Sequence, residues 1–367
     1  MSKNAKLQRI LLIAGILIFL IIVISIVFLG KQKKSDKQIV GFIMSGAKDE
    51  LGWNGMHYNG IMEAGDKLGI TVLVKENVEE FSGQCEVAIR ELVEDGASMI
   101  VLSSYGYSEE VRNVVREYPE VAFYANSPDF YEKNMTSYFT RMYQVRYLSG
   151  ILAGMQTQTN QIGYVAAMSN NEVNRGINAF MLGVRRVNPD AEVIVKWTDS
   201  WDNEQKEKEA VELLVKEYGI DVVTYHQNQA NVVEAAEQAG IYSIGYHWVL
   251  ENCSEQYLTT VACDWSKTYE ELVREYLQGG GNSQYNFWIG LEKDAVELTA
   301  FSSAVTEEQI QAVEKAKNEI LAGQHIFSGD IYDLQGIQRC SENENISDET
   351  LLRQMNWFAE GIKFYGE

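Results

Sequence analysis

Aromatic and amide side chains recur in this chain wherever an apolar run gives way to a polar one. Asp49, Trp53 and Asn54 lie in the loop after the first such run. Tyr105 and Tyr107 follow Val101-Leu102-Ser103-Ser104, and Asn126 follows Tyr124-Ala125. Arg175 and Asn178 come after Ile162–Ala167, and Trp201 after Glu192–Trp197. His226 follows Thr224-Tyr225, and Tyr246 and His247 follow Gly245. Flat π-faces beside amide and imidazole donors and acceptors suit a planar heterocycle held by stacking and edge contacts. For each of His226 and His247, a ligand contact and a structural hydrogen bond both remain open. A His–carboxylate pair for acid–base work has no spacing in its favour. The chain has no Gly-rich phosphate loop, no GxSxG and no HExxH. Gly279-Gly280-Gly281 reads as a turn, and the four histidines, His57, His226, His247 and His325, are scattered.

The elements that would position these residues alternate between strand and helix. Ile162–Ala167 is a short apolar run suited to a buried parallel strand. Ser169, Asn170 and Asn171 then offer helix caps. Val173, Ile177, Phe180, Met181, Val184 and Val187 form one apolar helical face, which Asn188-Pro189-Asp190 ends. Glu192–Trp197 is a second strand, so this stretch is one βαβ unit. The same rhythm predicts strands at Ile39–Met44, Ile70–Val74, Ser98–Leu102, Val121–Ala125, Asp221–Tyr225, Tyr242–Tyr246 and Leu258–Cys263. It predicts helices at Gln84–Asp95, Ser108–Tyr118, Arg141–Met155, Asn203–Tyr218 (after a cap at Asp202), Ala230–Ala239 and Thr306–Ala322, and one carrying Met56, Ile61, Ala64 and Leu68. Alternating βα units imply parallel sheets covered by helices, with ligands outside the carboxyl ends of the strands. About 330 soluble residues exceed one comfortable core, so two lobes are expected.

The expected organisation is a membrane segment at 1–37 and a first lobe at 38–158, to which 259–285 returns. A second lobe spans 159–258 and takes back part of 286–325, and a carboxy-terminal segment covers 326–367. Ile10–Gly30 is uncharged, apolar or small throughout, and long enough to span a bilayer. No clear cleavage site follows it, so it is expected to remain as an anchor with the soluble part outside. The net charge is −21 over 367 residues. Residues 1–37 hold seven of the 31 basic residues and one of the 52 acidic ones, which leaves 24 against 51 and a net −27 beyond them. Such a surface repels nucleic acid. Cys85, Cys253, Cys263 and Cys340 show no metal spacing. Cys253 and Cys263 could pair outside the cytoplasm, or all four could be buried thiols.

GWNGMHYNG, SSYGYSEE, RMYQVRYLSGILAG, IGYVAAMSNNEVNRGINAF, NPDAEVIVKWTDSWDN and AAEQAGIYSIGY together resemble the basic membrane protein family. These are substrate-binding proteins of ABC importers for nucleosides and purine bases, and the similarity covers roughly Ile39–Gly323. The resemblance implies an α/β, type I periplasmic-binding-protein fold: two Rossmann-like lobes with parallel sheets joined by three crossovers, and the ligand in the cleft. It implies a non-enzymatic protein without a cofactor, with an ABC permease and ATPase as partners. The family's Asp-x-x-x-aromatic-Asn loop matches Asp49, Trp53 and Asn54. The Trp-x-x-Ser-Trp segment of its purine-base-like branch matches Trp197–Trp201, preceded by Arg175-Gly176-Ile177-Asn178. Two departures stand out. Gly245-Tyr246-His247 replaces the usual Gly-x-Asp, whose acid resembles a ribose ligand, so its loss favours a free base or a changed ligand over a nucleoside. The acceptor cysteine of a lipoprotein is also missing. A membrane-tethered sensor and a nucleoside-processing enzyme are the competing functions.

Overall fold

The computed structural model describes residues 38–50, 52–126, 132–247, 249–279 and 286–366. The anchor expected at Ile10–Gly30 lies outside them, as do Gly280 and Gly281. Among the described residues no helix is long and apolar enough to cross a membrane.

The chain begins with β1 (Ile39–Ile43), α1 (Trp53–Leu68), β2 (Thr71–Lys75), α2 (Gln84–Glu94) and β3 (Met99–Leu102). The single helix predicted at Ser108–Tyr118 is two short ones, α3 (Tyr107–Glu110) and α4 (Arg112–Glu117). β4 (Ala122–Asn126) and β5 (Met135–Thr140) precede α5 (Met142–Gln156). The central unit follows as β6 (Gln161–Ala166), α6 (Asn171–Val187) and β7 (Glu192–Trp197). Then come α7 (Glu204–Tyr218), β8 (Val222–His226), α8 (Asn231–Ala239), β9 (Tyr242–Tyr246) and β10 (Tyr257–Cys263). α9 (Trp265–Leu277), β11 (Asn286–Ile289), β12 (Val296–Leu298) and α10 (Glu307–Leu321) lead to a tail of β13 (Ile331–Tyr332), β14 (Gln338–Cys340), α11 (Asp348–Arg353) and β15 (Ile362–Phe364).

The strands form two main sheets. The first, ordered β11-β5-β4-β3-β1-β2, is parallel throughout. The second, ordered β12-β10-β9-β8-β6-β7-β15, is parallel except for the β10–β12 pair. Fully buried strands such as β4, β8 and β10 are the near-continuous apolar runs that a doubly covered parallel sheet requires.

Three segments cross between the lobes, and they touch. Arg141 N donates to Ile289 O (2.7 Å), Trp288 Nε1 to Thr140 O (2.8 Å) and Asp264 N to Ala295 O (2.9 Å). The first crossing therefore comes at Thr140–Arg141, not at residue 158, and α5 packs in the second lobe against α6. The helices meet at glycine: a Cβ on Gly183 would lie 2.0 Å from Tyr147 O. The return to the first lobe runs from Trp265 through β11, so β10 stays in the second sheet. The tail adds β15 to β7, covering what would be an exposed edge.

Local signals explain several boundaries. Asn170 is the cap of α6, its side chain accepting from Glu172 N (3.0 Å) and Val173 N (2.9 Å). Asn203, one residue beyond the expected Asp202, caps α7 through Lys206 N. The four cysteines are free, so Cys253 and Cys263 are not bonded. Cys263 is buried at the crossings, its Sγ 3.6 Å from Thr140 Oγ1.

Candidate functional site

α1 starts directly after Gly52, so Trp53 and His57, one turn apart, share a face. α9 starts after Asp264, whose carboxylate accepts from Ser266 N (2.9 Å) and Lys267 N (3.2 Å). This places Trp265 and Tyr269 one turn apart as well. The two helices approach closely at Gly60, where a Cβ would stand 2.7 Å from Trp265. The result is a layered aromatic wall on the first lobe. The His57 ring lies 3.8 Å from Trp265 and 4.1 Å from Trp53, centroid to centroid. Trp53 Nε1 donates to Ser103 O (3.2 Å), which fixes its indole.

The second lobe supplies strand ends. His226 ends β8, Tyr246 ends β9 and His247 follows with φ +59°, in the left-handed region where a histidine is several-fold enriched. Its N–H donates to Val261 O (2.8 Å), holding the turn. Tyr246 OH and His226 Nε2 are 2.8 Å apart, and Glu172 Oε1 lies 3.6 Å from the same nitrogen. Trp201 stands 6.0 Å from the His226 ring. Beneath them, the buried Arg146 donates to Thr224 Oγ1 (3.1 Å) and Tyr225 O (2.7 Å), with its guanidinium 4.1 Å from the Tyr246 ring centre.

The walls meet at the cleft. His247 and Trp265 are nearly parallel, 18° apart, with centroids separated by 6.5 Å. Trp53 stands perpendicular to His247 at 5.5 Å and closes one side. Among the described residues, several buried polar atoms here have no hydrogen-bond partner in the chain: His57 Nε2, Trp265 Nε1, Asn126 Nδ2, His226 Nδ1 and both nitrogens of His247. Tyr164 OH is another, and it shares a spot with His226 Nδ1. A Cβ built on Gly176 would be 3.6 Å from the first and 3.9 Å from the second. Buried polar groups are normally paired, so this concentration marks a surface built to meet something else.

Burial sets the charge of the imidazoles. It lowers the His247 pKa to about 3, with Arg146 adding to the effect. Burial likewise holds His57 and His226 well below the ordinary value, assisted by His247 at His57 and by Arg146, His247 and the nearby Arg175 at His226. All three are neutral at pH 7, each offering one donor and one acceptor. The arrangement can stack a planar ring and hydrogen-bond its edge. Among the described residues no group of three His, Cys, Asp or Glu is placed to hold a metal ion.

Of the residues singled out by sequence, Trp53, Trp201, His226, Tyr246 and His247 come together here. Asn126, at the end of β4, brings to the first lobe an amide beside Tyr138 whose Nδ2 has no partner among the described residues. The others are placed differently. Asp49 is exposed. Asn54 turns back into its own loop, donating to Glu50 Oε2 (2.8 Å) and accepting from Ser45 Oγ (3.3 Å). Tyr105 is 53 % exposed. Tyr107 points into the outer core beside Cys85 and Leu102, its hydroxyl donating to Val78 O (2.6 Å). Arg175 and Asn178 hold the tail. Arg175 Nη1 donates to Leu351 O (2.8 Å), and Asn178 donates to Trp357 O and accepts from Ala359 N, both at 2.9 Å. The strand-end argument places a side chain near a cleft but does not choose its face.

His57, Trp265 and Arg146 escaped the sequence reading as contributors. Trp265 had a signal: Asp264 is a cap after a strand, and Trp265, Thr268, Tyr269, Leu272 and Val273 keep helical spacing. His57 is found by stepping one turn on from Trp53.

Residues 37–328 match the family described as ABC transporter substrate-binding protein, PnrA-like. A purine-binding protein of Brucella abortus is 30 % identical over 91 % of this chain and 95 % of its own length. A putative ABC transporter glucose-binding protein of Haloferax volcanii is 30 % identical over 76 % of this chain and 68 % of its own. Among solved structures, a transcriptional activator of the comK gene from Bacillus halodurans superimposes with a TM-score of 0.66 at 22 % identity. That match covers 78 % of this chain and 98 % of that one, and shows a shared fold.

Proposed function

Because the chain belongs to the PnrA-like family of ABC transporter substrate-binding proteins, we propose that its cleft holds a purine base. The protein then delivers that base to an importer from outside the cytoplasm. The observation that carries this reading is the convergence of His247, Trp265 and Trp53 at the cleft, edged with polar atoms that lack partners among the described residues. A planar bicyclic ring suits such a site by stacking, while its nitrogens and exocyclic groups meet the imidazole, indole and amide atoms. His247 stands where the resemblance leads one to expect an acid for a ribose, so the ligand is a free base rather than a nucleoside. The likeness to the Brucella protein, a purine binder by name, supports the same class.

The apolar run Ile10–Gly30 tethers the domain to the membrane in this reading. Closure of the lobes about the crossings at Thr140, Cys263 and Gly290 is the state that a permease and its ATPase recognise. The chain does not process its ligand.

Thermal unfolding of the full-length protein tests the proposal. Adenine, guanine or hypoxanthine at about 100 times its dissociation constant adds roughly 2.7 kcal/mol of stability. Glucose, the ligand named for the Haloferax relative, leaves the transition where it is. Stabilisation by nucleosides but not by bases contradicts the role given to His247.

A further inference from the structure

We infer that His57 is locked as the tautomer with its proton on Nδ1, so that a bare Nε2 lone pair faces the cleft and selects ligands offering an N–H at that position. This rests on the cleft being a purine site, and it adds a specificity-determining residue to it.

The argument is a count of protons along a buried relay. His57 Nδ1 is hydrogen-bonded to Tyr269 OH. Tyr269 OH is 3.2 Å from Tyr138 OH, and Tyr138 OH is 3.2 Å from the carbonyl oxygen of Leu102. Three contacts need three protons. The Leu102 carbonyl has none to give, so Tyr138 must donate to it. Tyr269 must then donate to Tyr138, because the Tyr138 proton is already used. The proton between Tyr269 and the imidazole can come only from His57 Nδ1. Any other assignment leaves one of the three contacts as two facing lone pairs inside the fold, where their repulsion is little screened.

The second nitrogen follows. Burial keeps the imidazole neutral, so the Nδ1 proton is its only one. Nε2 lies on the side of the ring away from the Tyr269 contact and has no partner among the described residues. The ring is clamped between Trp53 and Trp265 and cannot easily turn over. Every member of the relay belongs to the first lobe: Leu102 on β3, Tyr138 on β5, His57 on α1 and Tyr269 on α9. The acceptor is therefore set before the lobes close.

Xanthine carries N–H groups, whereas caffeine keeps the same carbonyls with those nitrogens methylated or bare. The full-length protein, labelled with 15N-histidine and free of ligand, reports the tautomer by long-range 15N–1H NMR. His57→Gln identifies the signals. At neutral pH the wild type should show Nδ1–H at His57. Tyr269→Phe removes the acceptor of that proton, so its His57 should shift toward Nε2–H, the form favoured by a free histidine side chain. Xanthine affinity should then fall by on the order of tenfold, the loss of one buried hydrogen bond, and the gap between xanthine and caffeine should narrow. An Nε2–H signal in the wild type overturns the inference. So does an unchanged tautomer in Tyr269→Phe, or equal binding of xanthine and caffeine by the wild type. The NMR result needs no ligand. A wild type with Nδ1–H that binds no purine at all contradicts the proposed function and not the tautomer.

Discussion

On α6, Asn174, Arg175 and Asn178 each bring polar atoms against a backbone group of the carboxy-terminal tail. Asn174 Nδ2 meets Met355 O at 2.8 Å, Arg175 meets Leu351 O, and Asn178 meets both Trp357 and Ala359. In the cleft, His57 Nε2, Trp265 Nε1 and the two nitrogens of His247 are as deeply buried and meet nothing among the described residues. Burial does not separate these regions, since the α6 amides and guanidinium and the cleft imidazoles and indole are all buried. Satisfaction does. A buried polar group with its partner inside the chain holds the architecture together, and the cleft concentrates buried polar atoms without one.

The contrast is broken most severely at Asn178. Asn178→Ala strands the Trp357 carbonyl and the Ala359 N–H in the interior, at about 1–3 kcal/mol for each. Urea unfolding should show that full loss, while calorimetry on the folded protein should show purine affinity unchanged. A selective loss of one purine would move Asn178 back into the site. Trp53→Ala should show the reverse pattern. Base-on-ring stacking is worth roughly 1–3 kcal/mol, so affinity for every purine should fall by about that much with their order of preference kept.

Acid sharpens the comparison further. The folded protein holds His247 neutral down to about pH 3, whereas the unfolded chain protonates it near the ordinary value. Its contribution to stability is therefore complete above about pH 6.5 and is lost as the pH falls toward 3. The slope approaches about 1.4 kcal/mol per pH unit for one histidine. In denaturant midpoints measured between pH 7 and pH 5, His247→Gln should flatten this dependence; an identical slope would show that the imidazole is not held neutral. The smallest effect belongs to an exposed ion pair between the first crossing and the tail. Arg141 reaches Asp348 through both carboxylate oxygens, at 2.9 and 2.5 Å, but Asp348 is more than half exposed. Asp348→Asn should cost less than about 1 kcal/mol, and a larger loss on urea unfolding would mean that this contact governs the seating of the tail.

The division between regions also marks what could be read from the chain. Strand–helix alternation, the Asn170 cap and the apolar face from Val173 to Val184 are local patterns, and they describe β6, α6 and β7 closely. The parallel two-lobe architecture follows from them. β5 escaped because Met135–Thr140 mixes Thr, Ser and aromatic residues without alternation. The tail escaped because its order comes from α6 and β7, far away in sequence. Trp53, His226 and His247 were legible as strand-end residues beside a cleft. Arg175 and Asn178 looked identical by that criterion, because their partners, Leu351, Trp357 and Ala359, come roughly 180 residues later. The carboxyl end of a strand gives proximity to a cleft, and only the distant chain decides whether a polar atom there is already taken.

The central claim is that the cleft at His247, Trp265 and Trp53 accepts a planar purine. Titration calorimetry of the full-length protein, wild type and Trp53→Ala side by side, tests it most directly with hypoxanthine and glucose as titrants. Hypoxanthine should bind the wild type and lose roughly 1–3 kcal/mol in the variant, with no heat of binding from glucose. Glucose binding to both proteins with hypoxanthine inert would contradict the account.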